Sequence, residues 1–314
     1  MSVLSGWLVP GMPHPYLCPE KNRGWQKLRT AYETARQSIE ALDADLLVIY
    51  STYWPSIIGH QIQALPNPVW THVDEEWHEL GSIHYNLRMD PEFAESCREA
   101  CVARGLHART VAYHGFPIDT GSVVALKLLN PDNRLPAVIL SSNVYSDRAE
   151  TIVLGKACRD ALAQSNRRAV AISVSALSNR LFIEPIDPAE DRIHSLKDDE
   201  WNRKYLEFLQ LGRLEDVSQL SRQFHREARV HKVTNFKPFW WLAAFMGQNN
   251  CYRGEVHAYE PVHGTGAAIV ELTPTSMAAR DLEYDEDDPD AYAGDRNVLG
   301  SLNDAPGMDG DDES

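Results

Sequence analysis

The stretch Leu46-Leu47-Val48-Ile49-Tyr50-Ser51-Thr52-Tyr53-Trp54 decides the fold class. Its first five residues form an unbroken apolar run, too short for a helix and without the alternation of a half-exposed strand. Such a run reads as a strand buried on both faces, the environment of a parallel sheet covered by helices. Working outward, the pattern recurs at Ala137-Val138-Ile139-Leu140 and at Ala169-Val170-Ala171-Ile172-Ser173-Val174, and residues 3–9 read as a first strand. Between these runs the apolar period becomes helical. Leu28, Ala31, Tyr32, Ala35, Ile39 and Leu42 share one face over residues 25–42, and further helices are predicted at about 91–104, 121–129 and 147–164. A strand is expected near 109–113 and a last one at Ala267–Leu272, while residues 198–247 read as mostly helical, broken near Gly212 and Pro238. The alternation predicts an α/β fold, a three-layer domain with a mainly parallel central sheet and helices on both faces.

Charge separates this body from its end. The chain has 314 residues and a formal net charge of −15, but residues 281–314 carry thirteen Asp and Glu against one Arg. Residues 1–280 are therefore nearly balanced. The expected organisation is one domain over residues 1–274 and an acidic, disordered tail over 275–314, too poor in large apolar residues to offset its ordering entropy. No basic stripe suggests a nucleic-acid partner, and no apolar run approaches the ~18 residues that span a membrane. The first residues lack the basic start of a signal peptide, so a cytoplasmic location is expected. Five cysteines without a CxxC pair read as reduced thiols; Cys97 and Cys101 lie one helical turn apart.

The common catalytic signatures are missing: no GxGxxG, GxxxxGK[ST], HExxH or GxSxG occurs. Chemistry-bearing residues instead gather just after the strands, where α/β folds place ligands. The first strand runs into Pro10-Gly11-Met12-Pro13-His14-Pro15, the second into Tyr53-Trp54 with Gly59-His60 beyond, and the strand at 169–174 into Ser175-Ala176-Leu177-Ser178-Asn179. Trp70 to His78 mixes acids, histidines and tryptophans at irregular spacing, and reads as a surface or subunit-contact segment. Asp187, Glu190, Asp191 and Arg192 read as a solvated loop or contact rim, and Gly264-Thr265-Gly266 as a turn.

Seven stretches in order resemble the class III extradiol dioxygenases: WLVPGMPHP (7–15), LLVIYSTYW (46–54), THVDEEWHELG (71–81), FPIDTG (116–121), SALSNRLF (175–182), EPIDPAEDRI (184–193) and GTGAAIVEL (264–272). Within that superfamily the chain is most similar to the 2-aminophenol 1,6-dioxygenase type, in which an iron-bearing subunit pairs with a homologous non-catalytic one. The resemblance covers about residues 3–273. It implies a site where two His and one carboxylate hold Fe(II) on one face, leaving positions for an aromatic substrate and O2. His14 matches the family's first ligand, and its retention departs from the non-catalytic subunit type. Tyr53 stands where the second ligand His precedes Trp. His60 has the spacing of a different, non-ligand His. His231 falls at the ligand Glu, with Glu227 one helical turn earlier. Asn179 replaces the proton-shuttling His, and Thr120 another family His.

These departures matter because a neutral phenol is a poor Fe(II) ligand and an amide exchanges no proton near neutral pH. The resemblance therefore implies a non-catalytic structural subunit of a heteromeric dioxygenase. Fe(II) would sit in a homologous iron-bearing partner subunit, and an aromatic small molecule would bind the complex. Two alternatives stay open: an active metalloenzyme using His14, His60 or His231, and Glu227; or a pseudoenzyme that binds an aromatic ligand without cleaving it.

Overall fold

The apolar run at Leu46 becomes the strand β2 (Leu46–Ser56) in the computed structural model, which describes residues 3–179, 186–218, 221 and 236–276. Its side chains alternate between two cores. Leu46, Val48 and Tyr50 enter one and Leu47 and Ile49 the other, as the two-residue period of a strand requires. The same split recurs in β1 (Val3–Val9), β7 (Ala137–Asn143) and β8 (Ala169–Val174). These four strands are the parallel centre of an eight-stranded sheet. Their order is β7-β2-β8-β1, so β8 lies between β1 and β2.

Both flanks depart from parallel geometry. At one side β1 meets β10 (Thr265–Pro274), which pairs with β9 (Tyr252–Val262), both contacts antiparallel. At the other, β3 (His60–Gln63) pairs antiparallel with β7 and parallel with β6 (Ala108–Val111). A separate hairpin joins β4 (Val69–Val73) to β5 (Ser82–Asn86). The strands β3, β4, β5 and β9 carry no long apolar run, and the sequence reading passed over them.

Helices cover both faces, as expected. On one face α3 (Pro91–Ala103), α5 (Arg148–Ser165), α6 (Leu196–Gln210) and α7 (Lys237–Met246) supply Phe93, Leu154, Tyr205 and Trp241 to the core. On the other lie α2 (Arg23–Ala41) and α4 (Thr120–Leu129), with Leu28, Tyr32 and Val124 buried. Cys97, Cys101 and Cys158 are free thiols buried between α3 and α5. The expected break at Gly212 is real: its φ is +72°, and a Cβ there would lie 1.8 Å from the Tyr252 carbonyl oxygen, so only glycine fits. Pro238 does not break a helix but sits in the first turn of α7, where its missing N–H costs nothing. Nearly all of the 275–314 tail lies outside the described residues. Among those described, no helix is long and apolar enough to cross a membrane.

Candidate functional site

The loops that leave β1 and β8 and the irregular last part of β2 are neighbours because the three strands are, so Pro10–His14, Ser175–Asn179 and Ser51–Trp54 meet at one end of the sheet. Backbone and hydroxyl contacts tie them together. The Ser175 N–H donates to the Val9 carbonyl, and the Thr52 hydroxyl lies 3.2 Å from both the Val174 carbonyl and Ser175 Oγ. Tyr32, from α2, donates its phenol proton to the Pro10 carbonyl and fixes the first loop from below.

His14 opens the short helix α1 (His14–Leu17) and is only 3% exposed. Its imidazole stands edge-on to Trp25 at 4.7 Å and to Trp77 at 4.8 Å, with the His263 ring 6.3 Å away. Nδ1 is buried with no hydrogen-bond partner among the described residues. Burial, reinforced by His263, pushes its pKa down to about 3, so the ring is neutral at physiological pH. Asp191 closes this aromatic box. Its carboxylate accepts from the Trp25 indole N–H at 3.0 Å and from the backbone N–H groups of His263 and Gly264 at 2.7 and 2.8 Å. The solvated loop expected around Asp191 is thus corrected: one acid of that loop is a three-way acceptor that holds two segments over α2.

Tyr53 occupies the second ligand position of the family pattern, and its ring lies flat across two glycines. A Cβ at Gly11 would fall 2.4 Å from the ring, and one at Gly121 2.5 Å from it. Burial, with Asp74 nearby, drives the phenol pKa upward, although a backbone hydrogen bond at Gly11 works the other way. The phenol stays protonated near neutrality.

Thr120, the first residue of α4, is also committed. Its hydroxyl donates to Asp74 Oδ2 at 2.5 Å and accepts from His72 Nε2 at 2.5 Å. Asp74 in turn accepts the backbone N–H groups of Glu76 and Trp77 at 2.9 Å. The Trp70–His78 segment, expected to be surface, therefore also folds over the strand ends, latched by His72 and Asp74 and seated on His14 through Trp77. Beside the latch is a cleft of about 540 Å³ lined by Tyr53, Trp54, His72, Asp74, Glu75, Glu76, Ile118 and Asp119. Asp119 caps α4 through the Ser122 N–H and accepts from Ser51 at 2.8 Å. Burial still pushes its carboxyl up, and Oδ2 has no hydrogen-bond partner among the described residues.

The remaining sequence-selected residues fall elsewhere. Asn179 is half-buried directly after Ser178, whose N–H donates to Asn202. His60 is separated from β1 by four strand spacings, about 19 Å at ~4.8 Å each. It is fully buried against Glu150 at 2.9 Å. It therefore cannot share a metal ion with His14. Glu227 and His231 lie outside the described residues.

These residues do not fit the Fe(II) site that the resemblance implies. Of the family-matched positions among the described residues, His14 alone carries a donor suited to Fe(II), a neutral imidazole; Tyr53 is a protonated phenol, Thr120 a doubly engaged hydroxyl and Asn179 an amide. One triad of metal-ligating side chains does occur among the described residues, Glu255, His257 and Glu271, but it belongs to β9 and β10. Sequence reasoning missed Trp25 and His263, and read Trp77 and Asp191 as contact or solvated residues, whereas all four wall the His14 box. The one available signal was the Gly264 turn, which sets His263 beside the strand ends.

Comparison with known proteins bears on these features. Residues 9–270 match the family described as the catalytic LigB subunit of aromatic ring-opening dioxygenase. The chain is 34% identical over 275 residues to the 2-aminophenol 1,6-dioxygenase alpha subunit of Pseudomonas sp, covering 87% of this chain and 100% of that one. It is 32% identical over 287 residues to the beta subunit, covering 86% and 93%. The crystal structure of the uncharacterized protein JW3007 from Escherichia coli K12 matches with a TM-score of 0.59 at 13% identity, over 86% of this chain and 99% of that chain. That last likeness concerns the fold alone.

Proposed function

The chain belongs to the LigB family of aromatic ring-opening dioxygenases, and from that premise we propose that it is the non-catalytic subunit of a two-subunit extradiol dioxygenase. The family generally uses Fe(II); in this reading a homologous partner subunit in the cytoplasm holds it. The ring opened is an aminophenol or a catechol-like aromatic, in keeping with the relatives' names. The observation that carries the proposal is Tyr53: a protonated phenol wedged between Gly11 and Gly121 stands where the family places its second imidazole ligand. Thr120 and Asn179 support it, since neither is a general base at neutral pH.

The role left to this chain is structural. The eight-stranded sheet, the latch at Thr120 and the closed box around His14 present a rigid body against which the iron-bearing subunit is held in its active form. The test is ring-opening activity with 2-aminophenol, measured for this chain alone, for the partner alone and for the two together. Activity confined to the complex, or raised severalfold by adding this chain, supports the proposal. Turnover by this chain alone contradicts it. A second reading, a metal site in this chain completed by Glu227 or His231, draws on the His14 Nδ1, which lacks a partner among the described residues.

A further inference from the structure

Strand β4 of the β4–β5 hairpin exposes apolar residues on both of its faces. In β4, Val69, Trp70 and Val73 are 53%, 49% and 48% exposed. β5 pairs with one edge of β4, and the other edge has no strand partner among the described residues. Soluble proteins guard such an edge with charge, proline or a bulge. Val69-Trp70-Thr71-His72-Val73 has no acidic or strongly basic residue and no proline, and its register with β5 runs without interruption. It is a flat, β-prone, partly apolar edge left open to solvent, which marks a contact surface.

The strand runs directly into the acidic cleft. Val73 is followed by Asp74, Glu75 and Glu76, with Asp119 on the opposite wall, and no lysine or arginine lines the cleft. Phe116, 38% exposed, packs at a tilt against the cleft residue Trp54 at 5.7 Å and extends the apolar rim. An apolar rim around a negative pocket suits a partner that inserts a positive side chain among apolar neighbours. A second copy of this chain fits poorly, because a two-fold contact would set one acidic cleft against the other.

We propose that β4 and the adjoining acidic cleft form the docking face for the homologous iron-bearing subunit, which seats a lysine or arginine in the cleft. This rests on the two-subunit reading above and assigns its interface. The same segment latches onto Thr120 and packs Trp77 on His14, so a partner here stabilises the closed strand-end site.

The test uses the co-purified complex of the full chain with its homologous subunit. Amide exchange is compared between the free chain and the complex, and dissociation constants are measured by ultracentrifugation for Trp70→Glu, for Glu75→Lys/Glu76→Lys, and for Leu211→Glu, an exposed control at the other end of the sheet. Expected are slowed exchange over residues 69–76 and 113–118, about a hundredfold weaker assembly for Trp70→Glu, and about tenfold for the charge reversal. Leu211→Glu is expected to assemble normally. If Trp70→Glu fails to fold, exchange in the unmutated complex decides. A complex whose 69–76 amides exchange as in the free chain overturns this interface and leaves the two-subunit reading standing. No complex at all overturns both. Self-association of the isolated chain through the same amides overturns the choice of partner.

Discussion

Replacing Asp191 by alanine removes the acceptor that ties three donors together over His14. The carboxylate receives the Trp25 indole N–H at 3.0 Å and the His263 and Gly264 amides at 2.7 and 2.8 Å. Trp25 and His263 are 4% and 7% exposed, so water reaches the orphaned donors poorly. A hydrogen bond to a charged group contributes about 1.5–3 kcal/mol when buried. Asp191 itself is half-buried, so partial hydration brings each bond below that range, to about 1 kcal/mol. The expected loss for Asp191→Ala is therefore about 3 kcal/mol, or a Tm lower by roughly 6–12 °C for a domain of this size. Asp191→Asn keeps one acceptor oxygen and is expected to lose about half as much. Urea unfolding followed by tryptophan fluorescence, paired with calorimetry, reads both numbers. An Asp191→Ala protein within ~0.5 kcal/mol of the parent, the range of an ordinary surface substitution, would refute the reasoning and restore the loop to a solvated rim.

Three further outcomes follow from the same geometry. His14 takes up a proton at about pH 6.5 when unfolded but only near 3 when folded. Its contribution to stability is thus complete above 6.5 and is lost as the pH falls toward 3, on the order of 5 kcal/mol in all. Between pH 7 and 4 the parent should lose about 3 kcal/mol of unfolding free energy relative to His14→Phe; a constant difference would show that the ring is solvated. Gly121→Ala puts a Cβ about 2.5 Å from the Tyr53 ring and should cost about 2 kcal/mol. Adding Tyr53→Ala should cancel that penalty, and additive losses in the double-mutant cycle would show that the ring is not the obstacle. Thr120→Val, which strands the hydrogen bonds with Asp74 and His72, should lower stability by about 2 kcal/mol and speed amide exchange over residues 72–77; unchanged exchange there would disprove the latch.

Much of the architecture was legible because buried parallel strands leave unbroken apolar runs, as at Leu46–Tyr50 and Ala169–Val174. Strands that are short or half-exposed leave no such run, so β3 and β9 were invisible although they help form the two flanks of the sheet, and so were both strands of the separate hairpin. The strand-end location of the site was legible for the same reason as the fold: His14, Tyr53 and Asn179 each follow a strand that the apolar pattern identifies. What these side chains touch was not. Asp191 is 177 residues from His14 in the chain, and no local signal tells a solvated acid from one that joins distant loops. The Trp70–His78 segment shows the limit from another side. Its outward residues were read correctly as surface, while its inward ones, His72, Asp74 and Trp77, close the site, and only the pairing of β4 with β5 separates the two sets. His60 was a plausible ligand by residue type until sheet order placed it four strands away.

The central claim is that this chain assists a ring-opening dioxygenase without holding its iron. The most direct measurement is elemental analysis of iron in the two subunits, separated anaerobically from an active complex. The expected result is about one iron per partner chain and a negligible amount in this one. Stoichiometric iron in this chain, lost on His14→Ala, would contradict it.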